Sequence, residues 1–545
     1  MKTKIYISTL FIPVAAAVFF VLTPVSVFAA TYYIAPSPTG SDANSGTSLA
    51  PFATFSKAFS VMAGGDTLII KDGTYNQSLK NPPSGTAQGY TIVKAENLFN
   101  PIIDGEGLTD PALYIQNGRH HIQIEGIYFK GANISGKTEV ATIGEDLKCC
   151  DQGQTTDGAS YINLFRNIFQ GRNLAETNVY SKVLGVAVSN NITLEENISF
   201  GKANKYHFFA YKSSNITMRR NFARWDAVNT STQGAGHPSA SFIFYDTGNS
   251  IMENNVAVDG VHTSDTTTAA FYLAGHYIGG NNNQFLGNIA LNNKANSAFE
   301  IDPGANFRSD GAPINWNNQT LTNNVAWLSN DDPSTSAQDG LGVGINIGQS
   351  GTGGPYIDNV TVSHNTVGKN TKNRGISIHH NPTNTIFKNN LILFNSIVAN
   401  CSDSILNINT SVLFGNISTT AGTGCTINMN GNLSADPGLM YLNRIETGSS
   451  AKGTADDGGD IGANLLKQYE NGVLTGTDLW PFPNENVIKK VACTDTGETR
   501  GFCAAESLTK YIWEYLGNPI PPEIYATTLP SDTTPPNPPT GLMIQ

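Results

Sequence analysis

A seven-residue frame that usually opens and always closes on asparagine constrains this chain more than any other feature. NITLEEN runs from Asn191 to Asn197, and 24 residues later NITMRRN runs from Asn215 to Asn221. The frame returns as NSIMENN, NNQFLGN, NQTLTNN, NVTVSHN and NTIFKNN, ending at Asn255, Asn288, Asn324, Asn365 and Asn390. An earlier copy, YINLFRN, ends at Asn167. Successive closing residues are 30, 24, 34, 33, 36, 41 and 25 positions apart. A short constant minimum with a variable excess is a solenoid with insertions. A unit of that length cannot bury its apolar side alone and must stack on the next copy.

Within a unit such as HFFAYKSSNITMRRN, a strand-like run is followed by a Ser-Ser-Asn turn and a second alternating run. Alternation of period two sends one set of side chains inward and the other outward. The closing Asn is expected at a coil corner, where it tolerates left-handed backbone and its amide stacks on the Asn of the next coil. On these residues the sequence resembles the right-handed parallel β-helix proteins, the architecture of pectate lyases and many bacterial surface proteins, over roughly residues 31 to 465. The fold class implied is all-β, a parallel β-helix solenoid. Such a winding carries many chemistries, so the resemblance by itself assigns none.

Charged residues make up only 14% of the chain and Gly numbers 54, which suits coils joined by turns better than helices. A net charge of −11 argues against a general nucleic-acid binder. Lys2 and Lys4, the apolar run Ile5 to Phe20 and the small residues ending at Ala30 read as a secretory signal over residues 1–30, with a retained anchor as the alternative, since the run is long enough for one. With that segment removed no membrane span is expected, so the chain reads as a secreted or cell-surface monomer. Of six Cys, Cys493 and Cys503 close a short loop, Cys401 and Cys425 lie one coil apart, and Cys149 and Cys150 are neighbours.

In chain order, Phe55, Ala58, Phe59 and Met62 form one face of a short helix that closes the first coil, within an N-terminal cap and first coils at 31–101. This opening resembles that of family-nine pectate lyases. The β-helix proper is expected over 102–465 and a C-terminal cap over 466–525, including an amphipathic helix that starts at Ser507. The Pro-rich tail 526–545 resembles a linker and the start of a truncated fibronectin type III module.

Aligning the coils on the closing Asn places Phe209 and Tyr211, Ile243 and Tyr245, Tyr272, Glu300 and Asp302, Asn346, Ser377 and His379 on the outer side of one sheet. A row of Tyr leading to two carboxylates reads as a surface groove for sugar rings. Its expected substrate-binding residues are Tyr211, Tyr245, Tyr272, Trp225, His237 and His379. Basic residues including Lys212, Arg219, Arg220 and Arg224 sit nearby in sequence and would neutralise an extracellular acidic polysaccharide. Resemblance to polysaccharide lyases of this fold implies a Lys or Arg base, with a cation such as Ca2+ stabilising the enolate. Lys212 or Arg224 would be that base and Asp226, Asp246 and Asp302 calcium ligands. Two further readings stand beside it. One is glycoside hydrolysis by Glu300, Asp302 and Asp246; the other is non-catalytic surface, adhesion or carbohydrate binding. No polygalacturonase Gly-His-Gly, uronate epimerase Asp-Pro-His-Glu or pectate lyase signature occurs. Asp331, Asp332 and Asp339 offer a further cation loop, read more simply as solvated.

Overall fold

A computed structural model describes residues 1, 29–132, 139–145, 158–172, 182–203, 205–227, 239–261, 268–275, 278–303, 314–329, 342–348, 356–370, 374–379, 382–402, 404–423 and 425–526. Three parallel sheets run along the solenoid. Sheet I has 14 strands, from Thr31–Ile34 to Thr426–Asn430; sheet II has 12, from Gly73–Tyr75 to Val412–Phe414; sheet III has 12, from Leu79–Lys80 to Ser418–Thr423. A coil visits them in that order. Asn190–Glu195 lies in sheet I, Ile198–Lys202 in II and Tyr206–Tyr211 in III, after which Ser214–Arg219 pairs back in register on Asn190–Glu195. The fold is therefore a right-handed parallel β-helix.

Period-two alternation produces the core. Inward residues of consecutive coils stack in files, Ile192 on Ile216 and Leu194 on Met218 in sheet I. In sheet III the rings of Phe208, Phe242, Phe271 and Phe299 lie at successive separations of 4.8, 4.9 and 4.9 Å, almost parallel. Like residues at like positions thus stack face to face from one coil to the next.

The asparagine frame divides its labour differently from the sequence reading. The closing Asn is not left-handed. That backbone belongs to the first position (Asn191, Asn215, Asn249, Asn282, Asn318, Asn359, Asn384) and to the sixth, as at Glu196, Arg220 and Asn254. The closing Asn is buried, and its carboxamide replaces the backbone pairing that a corner interrupts. Asn255 Oδ1 accepts both the backbone N–H of Asn221, at 3.0 Å, and its Nδ2, at 2.9 Å. The same double acceptance links Asn167, Asn197, Asn221, Asn255, Asn288, Asn324, Asn365 and Asn390 without a break. Leaving those corner N–H groups buried and unpaired would cost about 1–3 kcal/mol each.

The helix Phe55–Val61, capped by the Thr54 hydroxyl, packs Phe55 and Ala58 on the first coils. At the other terminus the chain leaves the last coil and runs back along the outside. Backbone N–H groups of Asn464 and Tyr469 donate to Asn323 and Asn254, and that of Asn471 to Glu253. The helical cap then covers the outer face of sheet II, where Phe482, Phe502, Ile512 and Trp513 join Phe200, Phe222 and Val256 in a second apolar cluster. Cys493 and Cys503 form a disulfide inside this cap. Cys401 and Cys425 do not meet on adjacent rungs, since Cys401 pairs with Gly422, three positions short of Cys425. Residues 2–28 of the expected signal segment, Cys149, Cys150, Asp331, Asp332 and Asp339, and residues 527–545 lie outside the described residues. Among the described residues no helix is long and apolar enough to cross a membrane.

Candidate functional site

The expected ladder forms on the outer face of sheet III. Phe209 pairs with Ile243, Ile243 with Tyr272, Tyr272 with Glu300, Glu300 with Asn346 and Asn346 with Ser377. Two residues along, Tyr211 pairs with Tyr245, Tyr245 with Ala274 and Ala274 with Asp302. His379 falls in the same file one rung beyond Gly348. Register alone thus brings residues up to 170 positions apart onto one flank.

Exposure does not follow. Tyr211 and Tyr245 are 0% exposed and Tyr272 is 2% exposed, sharing a third apolar cluster with Phe209, Ile243 and Ala274. Tyr211 and Tyr245 meet edge to face at 5.4 Å. In this conformation the tyrosine row is a packed seam and not an open stacking groove.

The polar end of the ladder is a different environment. Glu300 is 3% exposed, and burial, with the charge of Asp302, pushes its carboxyl up to about 8, so that it is mostly neutral at pH 7. Asn346 Nδ2 donates to Glu300 Oε1 at 3.1 Å, and His379 Nε2 lies 3.2 Å from Asn346 Oδ1. Because the amide oxygen can only accept, Nε2 carries the proton and the chain of donation runs from His379 through Asn346 to Glu300. Glu300 Oε2 is buried with no hydrogen-bond partner among the described residues. Gly348 admits the imidazole, since a Cβ there would stand 2.2 Å from the ring. Asp302 and His379 are only partly buried. They form the accessible rim of a site whose floor is Asn346 and Glu300. Asn346 and Gly348 were not singled out from sequence as site residues. The signal available was their place in the files of Glu300 and His379.

The basic cluster disperses. Arg224 is fully buried on sheet II, where it pairs with Asp226, donates to Ala492 O and lies over the Phe502 ring at 5.2 Å. It fastens the C-terminal cap and is not placed as a base. Trp225 points into the coil interior, with Nε1 on Ala203 O at 2.8 Å, so it offers nothing to a sugar. Asp226 accepts from the Gly201 N–H and from Arg500, both at 2.9 Å. Asp246, fully buried, accepts the N–H groups of Ile278 and Gly279 and anchors that turn. Asp226 lies in the sheet II strand Phe222–Ala227 and Asp246 in the turn after the sheet III strand Ser239–Tyr245, so they do not share one ion. Among the described residues no three His, Cys, Asp or Glu side chains form a metal cluster, so the expected calcium ligands do not fit a Ca2+ site. Arg219 and Arg220 pair with Glu195, Glu196 and Glu253 beside sheet I. Lys212 stays beside the row, its Nζ 5.2 Å from the Tyr211 ring centre, but it lies three rungs, about 14 Å, from Asp302. His237 lies outside the described residues.

No family model matches the chain. The uncharacterized protein YwoF of Bacillus subtilis (strain 168) is 35% identical over 118 residues, 21% of this chain and 25% of that protein, so the match spans a quarter of the relative's length. Among solved structures, the Azotobacter vinelandii mannuronan C-5 epimerase AlgE6 A-module has a TM-score of 0.44 at 12% identity, covering 69% of this chain and 92% of that one. XylC in complex with xylose has a TM-score of 0.42 at 12% identity over 76% and 87%. Pectate lyase Pel9A has a TM-score of 0.35 at 13% identity over 79% and 95%. Likenesses this distant carry no argument about chemistry.

Proposed function

We propose that this chain is a secreted carbohydrate-active β-helix protein that acts on an acidic polysaccharide by β-elimination at the Glu300–Asn346–His379 site. One observation carries this reading: a buried, neutral carboxyl and an amide lie behind a partly exposed imidazole and carboxylate. A neutral Glu300 donates a hydrogen bond to a uronate carboxylate where an ionised one would repel it. Together with the Asn346 amide it favours the enolate that forms when the α-proton leaves; the enolate electrons then form the C4–C5 double bond as the C4–O bond breaks, and the leaving oxygen takes a proton from the protonated base or from solvent. In its neutral form, His379 with its proton on Nε2 carries its lone pair on Nδ1, and it takes the place of Lys212 and Arg224 as base. No step is routed through calcium.

The test is incubation of the full chain with pectate, alginate and glycosaminoglycans while following the ultraviolet absorbance of unsaturated uronates and the release of reducing ends. Absorbance and ends rising together, with His379→Ala and Glu300→Gln each slower by about a hundredfold or more, are expected. Reducing ends without absorbance would mean hydrolysis, with Glu300 as acid and Asp302 as base. Binding without either signal would establish the non-catalytic reading.

A further inference from the structure

The corner between sheets III and I carries a feature that the Glu300 site does not use. Here the first residue of each frame takes left-handed backbone, and it is Asn from Asn191 through Asn384. Several of these exposed amides bond to one another across coils, Asn282 to Asn249 at 2.8 Å, Asn318 to Asn282 at 2.9 Å and Asn359 to Asn318 at 2.7 Å. Two coils break the pattern. Tyr161 occupies the position at φ +55° and His121, one rung before it, at φ +53°. Bulky side chains are disfavoured in that conformation, and Asn meets the backbone requirement in the copies that follow.

The rings make an ordered stack. His121 and Tyr161 are 4.5 Å apart and within 11° of parallel, and Tyr90, a further rung back, meets His121 edge to face at 5.2 Å. Tyr161 remains 42% exposed. Its far side looks along the corner toward Asn191, whose shorter side chain leaves the face of the phenol open, with amide groups beside it. Burial and the neighbouring His120 hold His121 below the usual imidazole range, so the stack is uncharged at neutral pH.

We propose that Tyr161, backed by His121 and Tyr90, is a stacking subsite for a pyranose ring of a polysaccharide chain. A fixed, uncharged aromatic face takes the C–H face of a sugar, and the Asn191 amide supplies a partner for its hydroxyls. The proposal is independent of the Glu300 chemistry. Tyr161→Asn tests it, because it installs the residue that the other copies of the frame carry at this position, and its thermal midpoint should equal or exceed that of the wild type. Full chains are run in native gels containing pectate, alginate or xylan. Retardation in at least one gel is expected, weakened about tenfold in Tyr161→Asn and kept in Tyr161→Phe. Retardation in none of the three gels, or equal retardation of Tyr161→Asn and wild type, would overturn the proposal.

Discussion

Glu300 shows how one side chain changes character through its surroundings. Its carboxyl titrates near 8 in the folded chain and near the ordinary 4.5 when unfolded, because burial and Asp302 both oppose ionisation. Between those values the native state holds a proton that the unfolded state has released, so stability falls as pH rises from about 4.5 to about 8 and levels off above. The span amounts to a few kcal/mol at most. Glu300→Gln removes this dependence. Thermal midpoints at pH 5 and pH 8 should therefore differ more in the wild type than in the variant; equal differences would show that Glu300 is ionised throughout.

The two asparagine files behave differently as elements, although both come from one frame. The closing file replaces main-chain hydrogen bonds in a buried corner, whereas the opening file bonds mainly to itself at the surface. Asn255→Ala strips the backbone N–H of Asn221 of its acceptor and should cost about 2–4 kcal/mol. Asn318→Ala gives up two exposed amide–amide bonds and a left-handed preference, about 1 kcal/mol or less. Denaturant unfolding of the two variants measures the gap, and comparable losses would mean that burial does not separate the files. Reading the frame gave both positions and their repeat. It could not say which amide turns inward, because a corner residue has no strand alternation to fix its side.

For the molecule as a whole, the C-terminal segment holds the flank of sheet II, and Arg224 is its main fastening. It reaches Ala492, 268 residues away, while Asp226 and Asp259 receive Arg500 and Tyr511 from the same segment. Arg224→Ala leaves Asp226 short of one partner and opens a gap under Phe502, a loss of about 3–5 kcal/mol. Hydrogen exchange over residues 485–526 should rise strongly in that variant, with the coils of sheet I unchanged. Polysaccharide turnover per folded molecule should be unaltered, and a specific loss of turnover would return Arg224 to the active site. Reduction of Cys493–Cys503 should act on the same segment, since both cysteines lie within it.

What the sequence determined by itself was the winding and its phase. Repeated frames of nearly constant minimum length force coils to stack, and period two then sets which residues share a face, so Tyr211, Tyr245, Glu300 and Asp302 fell on one flank as read. The short disulfide and the first helix were legible for the same reason, being local. Tertiary structure decided what meets solvent and what meets a partner. The tyrosines face away from the coil interior and are nonetheless buried, the arginines near them in sequence turn to carboxylates on other sheets, and Asp226 and Asp246 lie apart. Periodicity fixes the direction of a side chain relative to its own strand; burial and pairing depend on what packs over that strand, which for Arg224 is a segment 268 residues away, and periodicity does not encode it.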